Sequence, residues 1–552
     1  MEASGELAIS DNLALKGSIL HKNRDGVGKQ VFTGDETGDE DSLSLRAQLY
    51  WQGESVRFSL VGDVFSADQG AVPHTLYAHA PWLGIGTCYE EAAPGVYAIC
   101  PAGVEVDRYD NYSLDDLDTE QDSYGIAATW EWDISENLSV KSITAYRDME
   151  YVGNLEFDGS PTTLLYYHET GASDQFSQEL QLLGESETYR WIAGLYYFTE
   201  EGHNLQDDDV FFSLDQRRSE VQTDSYAVFT QASVDINPLF SITGGVRYTW
   251  EDKDYELYYQ RLRAGDPAQQ ARLDSGESVY LIAPTELDDS WDSVSGTASI
   301  NYRVQEDVML YATYSHGFRS GGFNARPGNP DSVNIYDPEY VDVYEVGMKS
   351  ELLDNRLRLN LAFYMNDYED YQAQVNQLDN AFVTRTLNAA EAEINGMELE
   401  VAALLSAWLR VDGSYAYTDA EIDEVDIDPS LNANFDKGHR LPYTSKHTWS
   451  VSPQLDLPLP AGNLEVRADY SYRTAFYGQI SNHREERQSG YGLVNAQIQY
   501  RAPGDRWSIA LYGINLADEE YARVKNYFAG FIGFALWNTD RRELGVKARV
   551  KF

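Results

Sequence analysis

Long hydrophobic runs are missing from this chain. Nowhere among its 552 residues do the roughly 18 consecutive apolar residues of a membrane-spanning helix occur; the most apolar stretch, YFAGFIGFALW at 527–537, is short and punctuated by glycine. Helical membrane proteins are excluded. Basic residues are scarce as well, since 41 Lys and Arg face 90 Asp and Glu for a net charge of −49. That balance repels nucleic-acid phosphates. Catalytic motifs are lacking: the nine histidines are scattered with no two at metal-ligand spacing, and no nucleophile elbow, Walker loop or dinucleotide fingerprint is present. No enzyme, resident metal or cofactor is expected. The start, MEASGELAIS, lacks the basic region and apolar core of a secretory signal, so an exported protein is expected to be represented here by a fragment or a mis-started chain.

What the chain does have is aromatic surface, with 40 Tyr, 20 Phe and 11 Trp, too much for disorder. A core rarely grows past about 250–300 residues, but a barrel closes on itself and escapes that limit. The mean hydropathy of −0.47 fits a soluble protein or a barrel with a wet lumen equally well. Period-two alternation separates them. Leu357, Leu359, Leu361, Phe363 and Met365 alternate with Arg358, Asn360, Ala362, Tyr364 and Asn366. Leu464, Val466, Ala468, Tyr470 and Tyr472 alternate with Glu465, Arg467, Asp469, Ser471 and Arg473, and Leu544, Val546, Ala548, Val550 and Phe552 alternate with Glu543, Gly545, Lys547, Arg549 and Lys551. One face is oily and the other polar, over runs of about 9 to 13 residues, near the length that crosses a bilayer at a tilt.

Ten short turns punctuate these runs, centred on Ser10-Asp11-Asn12, Gly53-Glu54, Ser135-Glu136-Asn137, Gly184-Glu185-Ser186, Asn237-Pro238, Gln305-Glu306-Asp307, Asp354-Asn355, Ser406-Ala407, Pro460-Ala461-Gly462 and Pro503-Gly504-Asp505. They imply about 21 antiparallel strands, the first a stub at Glu2–Ile9, joined by short turns on one rim and long polar loops on the other. That asymmetry is a feature of outer-membrane barrels. The loops hold the acid: residues 66–122 carry eleven Asp or Glu against one Arg108, and 419–436 carry seven and no Lys or Arg. A solvated surface explains such runs, and the spacing of Asp423, Glu424, Asp426 and Asp428 does not match a calcium loop.

Several stretches then resemble the β-barrel of TonB-dependent outer-membrane receptors: QFSQELQLLG followed by WIAGLYYFTE, LYATYSHGFRSGGFN, YDPEYVDVYEVGMKSELLDNRLRLNLAFYMNDYEDYQ, NAAEAEINGMELE, INLADEEY and the closing LGVKARVKF. The resemblance covers residues 1–552 as one barrel domain. It implies an all-β, transmembrane, 22-stranded antiparallel fold in the outer membrane of a Gram-negative cell. Relative to the family pattern the plug, the TonB box and strand one are missing, so energy-coupled transport is expected of a longer parent only. The implied function is import of a scarce solute, an iron–siderophore complex foremost, with a passive porin-like channel as the alternative. Implied partners are the iron chelate, the TonB complex, the assembly machinery and lipopolysaccharide.

Specific residues follow. Arg319 and Asn324 of HGFRSGGFN, with Tyr311, Thr313 and Ser315 on the lumen parity below them, are the expected ligand-facing groups, although Arg319 has a competing reading as the ion-pair partner of an acidic neighbour. Glu465, Arg467, Asp469 and Arg473 are expected to line the wall where a plug rests. Cys88 and Cys100, both in the 66–122 loop, are expected to form a disulfide at the cell surface, constraining that loop by roughly 2–4 kcal/mol. Gly545 and the terminal aromatic Phe552 resemble the assembly signal of outer-membrane barrels.

Overall fold

The computed structural model describes residues 1–72, 74–78, 89–93, 96–100, 107–377, 380–427, 435–528, 532–537 and 541–551. Ten hairpins succeed one another along the chain: β1 (Glu2–Ser10) with β2 (Leu13–Arg24), β3 (Glu40–Gln52) with β4 (Val56–Gly70), β5 (Asp118–Ser135) with β6 (Leu138–Glu156), β7 (Leu165–Glu185) with β8 (Tyr189–Val210), and β9 (Ser213–Asn237) with β10 (Phe240–Arg263). The second half continues with β11 (Val279–Gln305) and β12 (Val308–Arg319), β13 (Glu339–Leu352) and β14 (Leu357–Gln377), β15 (Asn380–Ser406) and β16 (Leu409–Val425), β17 (His447–Leu459) and β18 (Gly462–Arg473), and β19 (Tyr491–Arg501) and β20 (Trp507–Ile514). β21 (Glu543–Val550) follows alone. Each pairs antiparallel with its chain neighbours to give a 21-stranded sheet. The ten expected turns all fall at hairpin bends on one rim.

The sheet sorts its side chains as the alternation requires. Val466 stands opposite Ile498, Ile498 opposite Leu511 and Leu511 opposite Val546, a continuous apolar row across four strands. These side chains point away from the lumen and stay uncovered by protein, Val546 being 68% exposed and Leu544 71%. Burial by lipid is what such a face needs. Aromatic pairs mark its upper edge: Tyr197 faces Tyr226, Tyr226 stacks on Trp250, and Tyr314 faces Tyr344. Inward parity carries the charges, which pair with one another: Arg467 with Asp469 at 2.8 Å and Arg501 with Glu465 at 2.5 Å. Gly545 lies inward beneath the Tyr512 ring, where a Cβ would come within 2.4 Å of ring carbon. A side chain there would displace the tyrosine.

Three features of the long-loop rim differ from the sequence reading. Strands there run far past the expected 9 to 13 residues, β11 and β15 each reaching 27. The β8–β9 connection, expected to be a long loop, is a bend at Phe211 and Phe212, whose φ values of 48° and 71° suit the tight twist of a hairpin. Above the bilayer both faces of a strand meet water, so HNLQDDDV and SLDQRRSEVQTD keep their ladder while losing alternation. A short helix, α1 (Pro267–Asp274), capped by Asp266, also sits unforeseen in the β10–β11 connection.

The buried apolar clusters belong to this extension and not to the spanning wall. Tyr255, Leu257, Tyr259, Ile282, Trp291 and Phe323 form one, and Ala373, Val375, Ala389, Ile422, Leu441 and Ile480 belong to another.

Cysteine-scanning should find positions 361 and 466 accessible only to lipid-phase reagents and positions 360 and 467 to aqueous ones. Leu361→Arg should cost about 2–4 kcal/mol if it sits near the bilayer midplane. Water-phase labelling at 466 together with lipid-phase labelling at 467 would reverse the register and refute the orientation.

Candidate functional site

At the outer ends of β6 to β10 the inward faces line a partly open cavity of about 600 Å³, to which Arg326 and Gly328 of the β12–β13 connection and Thr384 of β15 also contribute. Register builds it. One cross-strand row reads Tyr167, Asp208, Asp215, Arg261, and the next reads Glu169, Gln206, Arg217, Tyr259. Asp208 and Asp215 stand directly opposite, an arrangement that repels unless each charge is compensated. Arg261 takes Asp215 with two bonds, Nε to Oδ1 at 2.7 Å and Nη2 to Oδ2 at 2.8 Å. Arg217 reaches Asp208 once, at 3.4 Å, and lies over the Tyr259 ring at 4.6 Å.

Glu169 is the hub at the β7 end of the second row. It accepts from the Tyr151 hydroxyl at 2.6 Å, from Asn204 Nδ2 at 2.6 Å and from Arg326 Nη2 at 2.7 Å. Arg326 arrives there because its loop is fastened elsewhere. Phe323 stacks on Tyr255 at 5.2 Å and meets Trp291 edge-on, and Lys253 Nζ donates to the Gly321 carbonyl at 2.8 Å. Asn334 Nδ2 donates to the Thr386 carbonyl at 2.8 Å. The cavity thus combines three arginines, three carboxylates and the tyrosines 151, 167 and 259, in a water-shielded setting where burial raises the Asp208 carboxyl despite the opposing pull of Arg217 and raises the Tyr259 hydroxyl. Aromatic walls with convergent polar groups are the make-up of a small-molecule site.

The residues expected from the sequence are not gathered here. Tyr311 lies low on the wall, its ring over Gly347 and its hydroxyl donating to Glu345 at 2.5 Å. Arg319 is eight residues further along the same strand, about 27 Å away at 3.4 Å per residue. Ser315 bonds the Thr297 hydroxyl at 2.9 Å. Arg319 is 69% exposed and only 4.0 Å from Glu339. Asn324 is buried, with Nδ2 donating to the Ser332 and Thr384 carbonyls at 2.8 Å each, so its amide fastens the loop that carries Arg326. Cys100 is disulfide-bonded, whereas Cys88 and Phe552 lie outside the described residues, as does Asp428. Asp423 is engaged by Lys437 at 3.0 Å. The sequence signal missed was the rarity of cations in an acidic chain: QRRSE at 216–220 and YQRLR at 259–263 bring arginine to two adjacent strand ends.

Beside the cavity, the turn after β6 is held by buried acid. Glu156 accepts from the amides of Asp158 and Gly159, and Asp158 accepts from those of Leu164 and Leu165. Burial pushes Glu156 up to about 7, and burial together with Glu156 raises Asp158. Both folded-state values exceed those of the unfolded chain, so the stabilisation is complete in acid and is lost as pH rises through about 7. Amide exchange at residues 158–165 should therefore be slower at pH 6 than the intrinsic rate change explains and should lose that excess protection by pH 8, while Glu156→Gln should keep it throughout. Excess protection that is the same at both pH values in the unsubstituted chain would contradict the buried proton.

Comparison with known proteins agrees with this architecture. Residues 35–516 match the family model "TonB dependent receptor-like, beta-barrel". A probable TonB-dependent siderophore receptor, PiuA of Acinetobacter baumannii, is 21% identical over 499 residues, covering 79% of this chain and 62% of that protein. A catecholate siderophore receptor, Fiu of Escherichia coli, is 24% identical over 318 residues, covering 55% of this chain and 39% of the relative. The chain thus spans less than two thirds of these curated relatives. The crystal structure of the ferric yersiniabactin uptake receptor FyuA from Yersinia pestis superposes with a TM-score of 0.79 at 17% identity, over 100% of this chain and 77% of that one. With a matching family model over most of its length and the same fold, the chain belongs to the TonB-dependent receptor β-barrel family of the outer membrane.

Proposed function

We propose that this barrel belongs to a receptor that imports an iron–siderophore complex with energy from the TonB complex. The observation that carries the reading is the cavity at the outer mouth, where arginines, carboxylates and tyrosines converge behind a fastened loop. A passive channel needs no such convergence of polar groups. The receptors named among its relatives take siderophores, which supports the choice of cargo. The family consists of receptors and transporters, and non-enzymatic capture is the role assigned here.

The whole chain acts as one barrel unit. Assembly machinery reading Gly545 and Phe552, and lipopolysaccharide against the aromatic edge, complete the proposed partners. Cys88 and Cys100 pair, so thiol titration of the exported, denatured and unreduced protein should find no free thiol; two would refute the pairing.

A strain lacking its other iron receptors and carrying the full parent should grow on at least one ferric siderophore as sole iron source, and lose that growth when TonB is removed. Growth independent of TonB would favour the passive channel, and growth on no iron chelate would reject iron as cargo.

A further inference from the structure

The two ends of the sheet are not joined by a ladder. Among the described residues β1 pairs with β2 alone and β21 with β20 alone, so no row of backbone hydrogen bonds runs between Glu2–Ser10 and Glu543–Val550. Every strand between them is held on both sides. Outside the wall the two ends do meet, through their loops. The β20–β21 connection folds into a hairpin of Ala522–Phe528 with Ile532–Trp537, whose second strand takes a third, His74–Ala78, from the β4–β5 connection. Phe534 stands opposite Leu76 and Leu536 opposite His74.

Further along, side chains fasten the same two connections. Arg541 pairs with Asp107 and lies over the Tyr109 ring at 3.8 Å, and Arg108 pairs with Glu520 at 3.0 Å. Tyr109 is buried against Ala522 and against Val27 of the β2–β3 connection, and a Cβ at Gly28 would run into the Tyr109 carbonyl. The Asn111 amide donates to the Lys29 carbonyl at 2.9 Å, and the Val31 amide donates to the Asn111 carbonyl at 2.8 Å. Loops from the first strands are thus tied to the loop of the last.

The strength of this tie is of a particular kind. An isolated two-stranded hairpin is marginal in water, so the strand His74–Ala78 gives the Ala522–Trp537 hairpin the third member it needs. Exposed ion pairs hold little by themselves, but Arg541 spends its charge on a carboxylate and on the face of a buried ring at once. The contacts are few and stand in water. Losing them frees the two ends of the sheet without breaking any hydrogen bond of the spanning wall.

We propose that these loops form a clasp that sets the separation of β1 and β21 at the outer rim, with Arg541 as its fastening residue. Release of the clasp lets the outer mouth widen at this point while every spanning ladder stays intact.

Hydrogen/deuterium exchange of the exported protein in detergent tests this, because loss of a clasp is felt at the ends of the sheet and not along the rest of the wall. Arg541→Ala should speed amide exchange in residues 2–10 and 543–550 by about tenfold or more, while β8 and β9 stay within about twofold of the unsubstituted protein. Tyr109→Leu, which keeps an apolar side chain but removes the ring, should act in the same direction, and Arg541→Lys, which keeps the charge, should act less. Arg358→Ala breaks an exposed pair with Glu351 near the short-turn rim and should leave both ends unchanged. Heat-modifiable gel mobility checks that each variant is folded. Unchanged exchange at both ends in folded Arg541→Ala or Tyr109→Leu protein, or an equal rise along the whole wall, would overturn the clasp.

Discussion

Backbone satisfaction governs this molecule. In hydrocarbon each amide and carbonyl must find a protein partner, because an unpaired one costs several kcal/mol, and an antiparallel sheet supplies those partners only from neighbouring strands. The ladder therefore runs strand to strand from β1 to β21 in chain order. Once the ladder is fixed, period two decides every side chain's surroundings, placing the Val466, Ile498, Leu511 and Val546 row outward and Arg467 and Gly545 inward.

Above the bilayer the same ladder continues for a different purpose. Water now bathes both faces, so the strands need loops and aromatic clusters to hold their outer ends. Register then does for the cavity what it did for the lipid face: it sets Asp208 against Asp215 and Arg217 against Tyr259 without any need for adjacency in sequence. The loop fastened by Phe323 and Asn324 brings Arg326 to Glu169, 157 residues away along the chain. A strand wall and a tethered loop together make a polar cavity from strand ends.

Legibility in the sequence follows from the same physics. The spanning wall was readable because lipid outside and water inside impose alternation, as in Leu357 to Asn366, and because hairpins on the short rim use recognisable turn residues such as Asp354-Asn355 and Pro503-Gly504-Asp505. The outer extensions were not, since a strand such as Ser213–Asn237 begins with polar residues on both faces and reads as loop. The candidate site was hidden for that reason. Tyr311 and Ser315 were placed on the lumen side by parity, but parity carries no information on height or on which distant strand ends meet. Asn324 was singled out within a distinctive segment, and the structure gives it the task of fastening that segment.

Capture at the outer mouth is tested most directly by iron anomalous scattering from crystals of the parent receptor grown with iron(III) tris-catecholate. A single iron peak inside the cavity bounded by Arg217, Tyr259, Glu169 and Arg326 is the expected result. Iron bound only elsewhere in the lumen or on the outer loops, with this cavity empty at saturating chelate, would contradict it.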